Sequence, residues 1–145
     1  THDPQRLSPK LLKYSRTLPP LMATTKISQK AAKAGFEWNT VEEVWDKFHE
    51  ELEEFRVAIA QEPKENQLAE LGDILFTLVN IARWHDLDAT EALQTTNRRF
   101  VQRFEHVETL AGRPLTDYTL DELEAFWQQA KAKLKADTPE EVTSP

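Results

Sequence analysis

The chain has 145 residues, a formal net charge of −7, a charged fraction of 30%, three glycines and no cysteine. That length suits one domain with no room for a second catalytic one, disulfides are excluded, and the acidic balance argues against a binder of nucleic-acid backbones, which normally carries a basic footprint. No apolar run reaches membrane-spanning length and no basic-then-apolar signal segment opens the chain, so a cytoplasmic protein with neither membrane nor nucleic acid as partner is expected.

Residues 1–17 lack a clear period and read as an arm or linker, and the start at Thr1 without a methionine suggests a piece of a longer chain. From Leu18 a helical segment runs to Ala34, with Pro19 and Pro20 suited to its first turn and Gly35 to its C-terminal cap. Phe36-Glu37-Trp38-Asn39 is then a connection. Thr40 with Glu43 makes a capping box for a helix reaching about Gln61, on which Val41, Val44, Trp45, Phe48, Leu52, Phe55 and Ile59 follow the helical period. The polar break at 62–66 and a helix from about Gln67 to His85 predict an antiparallel hairpin. Asp88 with Glu91 opens a helix that Gly112 stops, and Thr119 with Glu122 opens a last one to about Ala136. The expected fold is an all-α bundle of about five helices: a domain over 18–136 between an arm, 1–17, and a flexible tail, 137–145.

Glu51 and Glu54 lie three apart on one flank of the helix from Thr40, with Lys47 on the same flank. Alone, a run containing Glu50, Glu51, Glu53 and Glu54 reads equally well as a solvated face. The next helix changes the balance. Residues 71–82 are apolar nearly all round and should be buried, yet Glu70, Asp73, Thr77 and Asn80 recur at spacings of three and four and form one polar line. A buried carboxylate is costly unless it is neutralised or meets a cation. Glu54 precedes Pro63 by nine residues and Asp73 follows it by ten, so the hairpin brings them to one height, with Glu51 and Glu70 within about one turn of 5.4 Å. Glu51, Glu54, Glu70 and Asp73 can therefore converge, and oxygen-only ligands favour Mg²⁺ or Mn²⁺ over Zn²⁺. The Glu-x-x-His pairs of a di-iron site do not occur.

Glu50-Glu51-Leu52-Glu53-Glu54 followed by Glu70-Leu71-Gly72-Asp73 resembles the metal motif of the MazG nucleoside triphosphate pyrophosphohydrolases. Phe36-Glu37-Trp38, Val44-Trp45-Asp46-Lys47, residues 72–76, residues 79–83 and Asn97-Arg98-Arg99-Phe100 with Arg103-Phe104 resemble further MazG segments in the same order. The likeness runs from about Leu18 to Lys133 and is nearest to the C-terminal of the two catalytic modules of long MazG proteins. It implies an all-α pyrophosphohydrolase bundle, a homodimer or higher homo-oligomer, and Mg²⁺-dependent conversion of nucleoside triphosphates, non-standard ones included, to monophosphate and pyrophosphate as nucleotide-pool house-cleaning.

Arg99 and Arg103 lie one turn apart on the flank of their helix and can form bidentate bonds to phosphate, or pair with the protein's own acids; the resemblance favours phosphate. Arg98 points elsewhere. Asn80 and Asn97 can bond a base or sugar or cap a helix contact, and Lys47 can neutralise the triphosphate or pair with Glu51. The four tryptophans suit the core, and Trp127, which resembles a MazG aromatic near the nucleotide, is the best base contact among them. His85 and His106 show no partner. Glu50 and Glu54 are the candidate general bases, alongside the metal carboxylates. The competing readings are a selective dUTP or dCTP diphosphatase and a non-catalytic helical interaction or regulatory module.

Overall fold

A computed structural model of the chain describes residues 6–137. It has six α-helices: α1 Ser8–Thr17, α2 Pro20–Lys33, α3 Val41–Gln61, α4 Lys64–Trp84, α5 Ala89–Ala111 and α6 Leu120–Asp137, with a 3₁₀ turn at Leu115–Asp117. No strand occurs among the described residues. The sixth helix is α1, in the stretch expected to be an arm; none of its residues is fully buried, but Leu7, Leu11, Tyr14 and Leu18, spaced four, three and four apart along it and its caps, are half-buried on one face. Residues 1–5 of that arm, and the expected tail after Asp137, lie outside the described residues.

Local chemistry sets the boundaries. At the end of α2 the Phe36 N–H donates to Ala31 O and the Gly35 N–H to Ala32 O, with Gly35 left-handed at φ 101°. This double bond pattern requires a positive φ, which glycine adopts without steric cost. Asp86, at φ 56°, closes α4 in the same way. Thr40 Oγ1 accepts from the Glu43 N–H to open α3, while Thr119 and Glu122 cap each other reciprocally at α6. Helix α4 begins at Lys64, earlier than Gln67, because Pro63 stands at its N-cap and the Gln67 side chain reaches back to Glu62 O.

The chain divides into two compact units, Thr1–Ala92 and Leu93–Pro145. In the first, α3 and α4 pack as the expected antiparallel hairpin, α2 lies on α4 and α1 on α2. Its core is small: Ala23, Val44, Ala58, Val79 and Ile81. In the second, Val107, Ala111 and Ala130 are buried, and Tyr118 packs edge-on against Phe126 while its hydroxyl donates to Ala111 O. The expectation that α4 is buried all round is corrected. Thr77, Val79, Asn80 and Ile81 are buried, but Leu68, Leu71, Leu75, Phe76 and Leu78 stay exposed.

Candidate functional site

The hairpin register places Glu51 of α3 beside Glu70 and Asp73 of α4, with one carboxylate oxygen of each within 4.8 Å of the others. Glu51 is only 5% exposed, and its Oε2 has no hydrogen-bond partner; neither has the buried Oε2 of Glu70. Buried carboxylate oxygens without donors are costly, and a hard divalent cation would satisfy them. The Glu70 carboxyl is held above the usual carboxylate range, first by burial and then by the negative charges of Glu54, Glu51 and Asp73. Glu54 thus stands beside Glu70, on the exposed side of α3 and outside the tight group of three.

Lys47 Nζ meets Glu51 Oε1 at 2.9 Å and Glu50 Oε1 at 3.7 Å, and the bond to Glu51 raises its proton affinity. The helical ion pair and the position beside the carboxylate cluster are therefore both present in one side chain. Lys47, Glu51 and Asp73 line a cavity of about 630 Å³ together with Asn80, Thr77, Phe76, Phe36, Glu37 and Trp38. That volume is within the range of small-molecule sites.

Not every candidate keeps its expected surroundings. Thr77 Oγ1 donates to Asp73 O and Asn80 Nδ2 to Phe76 O, while Asn80 Oδ1 accepts from Ser28 Oγ at 2.7 Å and from Arg83 Nη2 at 3.1 Å. Asn80 is thus an internal junction that also lines the cavity. Trp38, expected in the core, lines the cavity and is 39% exposed. Trp45 is exposed as well, and its Nε1–H donates to His85 Nε2 at 3.4 Å, so His85 has the partner that the sequence did not reveal.

In the second unit Asn97, Arg98 and Arg99 are exposed. Arg103 lies 5.8 Å from the Trp127 ring centre, with its Nε shielded and without a hydrogen-bond partner. Trp127 also packs 5.3 Å from Phe100, so its ring is half-buried among side chains of its own unit.

Residues missed in the sequence are Ser28, Phe36, Glu37 and Arg83. Phe36-Glu37-Trp38 and residues 79–83, which include Arg83, gave a signal only as parts of the family likeness, and Ser28 gave none. The Arg83–Glu37 pairing spans 46 residues and follows no helical period.

A family model described as the MazG nucleotide pyrophosphohydrolase domain matches residues 39–108. The chain is 39% identical over 123 residues to the nucleoside triphosphate pyrophosphohydrolase of Escherichia coli K12, a match covering 80% of this chain and 46% of that protein. It is 35% identical over 117 residues to the nucleoside triphosphate pyrophosphohydrolase/pyrophosphatase MazG of Thermotoga maritima, covering 79% of this chain and 45% of that protein. It is also 42% identical over 76 residues to the uncharacterized protein YabN of Bacillus subtilis, covering 50% and 16%. The chain spans less than half the length of the relatives it matches.

Proposed function

Because the chain belongs to the MazG nucleotide pyrophosphohydrolase family, we propose that it hydrolyses nucleoside triphosphates to monophosphate and pyrophosphate, with Glu51, Glu54, Glu70 and Asp73 holding Mg²⁺. The observation that carries this reading is the convergence of Glu51, Glu70 and Asp73, two of them with orphaned buried oxygens, of which Glu51 and Asp73 also line a cavity. When bound, the cation lowers the pKa of a water and offsets charge on the phosphates. Glu54 or Glu50, both on the solvent side of α3, takes the water's proton as the α–β anhydride opens. Lys47 offers its ammonium to the phosphates beside Glu51.

The rest of the cavity lining favours broad substrate use and a house-cleaning role. Its polar side chains Ser28, Glu37 and Asn80 already bond to one another or to Arg83, leaving few groups to reject a base. Arg99, Arg103, Asn97 and Trp127 remain proposed substrate contacts on the strength of the family likeness. Replacing Arg99 or Arg103 by Ala should lower kcat/KM roughly ten- to hundredfold, with Arg98→Ala nearly silent. Equal losses at Arg98 and Arg99 would remove the assignment.

The exposed Leu68, Leu71, Leu75 and Leu78 support assembly into at least a dimer, which light scattering finding only monomer at micromolar protein would refute. The activity itself is tested by incubating the protein with Mg²⁺ and a panel of NTPs and dNTPs and identifying the products. Comparable rates across the panel, with pyrophosphate released and EDTA abolishing it, are expected. Undiminished activity in EDTA overturns the metal assignment, and one dominant substrate among dUTP and dCTP overturns the broad reading.

A further inference from the structure

The connection from α2 to α3 places Phe36 and Trp38 on the cavity wall, both just outside the residues that the family model matches. Phe36 is 86% exposed, an unusual placement for a large apolar ring on a turn whose left-handed Gly35 directs the chain. One carboxylate fastens this connection to α4. Glu37 Oε2 accepts from Arg83 Nη1 at 2.5 Å, and Oε1 accepts from Arg83 Nη2 at 2.8 Å, from Trp84 Nε1 at 3.1 Å and from the Trp38 backbone N–H at 3.0 Å. Three of these four bonds fall on Oε1 and one on Oε2, so the carboxylate is largely committed to holding the connection, with one Oε2 lone pair unused.

Arg83 is itself fixed from below. Its Nε donates to Ser28 Oγ at 2.6 Å and its Nη2 to Asn80 Oδ1 at 3.1 Å, both acceptors being buried. The forked guanidinium therefore joins α2, α4 and the aromatic connection in one network, while Asn80 keeps a single N–H beyond its bond to Phe76 O.

We propose that Phe36 and Trp38 form the wall on which the nucleobase stacks, and that Glu37 and Arg83 are positioning residues that hold this wall in register with the carboxylates. The proposal rests on the nucleotide reading above. It commits the exposed rings to an aromatic heterocycle because the same cavity is also lined by Lys47, Glu51 and Asp73, where the phosphates of that molecule would lie. Stacking recruits any base, since every base has a π-face.

The test compares hydrolysis of ATP, GTP, CTP and UTP with inhibition by inorganic tripolyphosphate, which has no base. Trp38→Ala should raise KM for all four nucleotides by about tenfold. It should leave kcat within about twofold and tripolyphosphate inhibition unchanged. Trp38→Phe, which keeps a ring, should recover most of the loss. Glu37→Gln should raise KM less than Trp38→Ala does. Arg83→Lys, which keeps the charge without the fork, should fall between wild type and Arg83→Ala. If Glu37→Gln perturbs folding, Trp38→Phe and Arg83→Lys decide alone. Loss of kcat at unchanged KM, or equal weakening of tripolyphosphate and nucleotides, overturns the proposal. Should the wild type turn over no nucleotide, the activity reading fails, and quenching of tryptophan fluorescence by AMP then decides this one. Quenching lost in Trp38→Ala supports the wall; quenching retained overturns it.

Discussion

Glu37 and Glu70 belong to the same compact unit, and their surroundings pull their proton affinities in opposite directions. The bond from Arg83 lowers the affinity of Glu37, whose carboxylate meets four donors. Burial and then three neighbouring carboxylates raise that of Glu70, one of whose oxygens meets none. The difference separates structural from functional charge. A paired carboxylate completes the fold, whereas a cluster of like charges is a local liability that a cation converts into a binding site.

The largest test of this contrast lies in the cluster. Glu51→Gln, Glu54→Gln, Glu70→Gln and Asp73→Asn should each abolish turnover in steady-state assays, while the melting temperature in metal-free buffer holds or rises as like charge is removed. A metal-free melting temperature that falls in these variants would mean that the acids stabilise the fold by themselves.

A smaller effect is expected from the cation on the intact chain. Mg²⁺ binds the folded cluster and should raise the melting temperature of the wild type, with little effect on Glu70→Gln. Equal shifts in both proteins would place the ion elsewhere.

The smallest effect concerns pH. The folded-state affinity of Glu37 is lowered, so its stabilisation is present above the unfolded carboxylate range and is lost as pH falls through its folded value. That of Glu70 is raised, so its contribution is full below the unfolded range and lost as pH rises through its folded value. Melting curves in EDTA should therefore show stability rising on mild acidification and falling on further acidification. Glu70→Gln should flatten the upper limb and Glu37→Gln the lower, and a Glu70→Gln profile identical to wild type would remove the contrast.

Much of the first unit was legible because its signals are local. Caps at Thr40 and Asp88 and the glycine stop at Gly35 are written within a few residues, and helices follow from them by hydrogen bonds between near neighbours. The carboxylate cluster needed one further step, the register of a hairpin joined by a short break, which also follows from counting. Helix α1 escaped although Leu7, Leu11, Tyr14 and Leu18 recur at helical spacing, because that stripe is only four residues long and half-buried.

From the sequence alone come the all-α class, the caps, the apolar stripe of α3 and the spacing that lets Glu51, Glu70 and Asp73 meet, because 3.6 residues per turn is the same in every helix. Tertiary structure alone decided which side of α4 is covered, that Trp38 faces a cavity, and that Arg83 spends its fork on Glu37 and Ser28. Those outcomes depend on pairing between segments about fifty residues apart, and the packing of α2, α3 and α4 selects them, whereas the period along any one helix is silent about them.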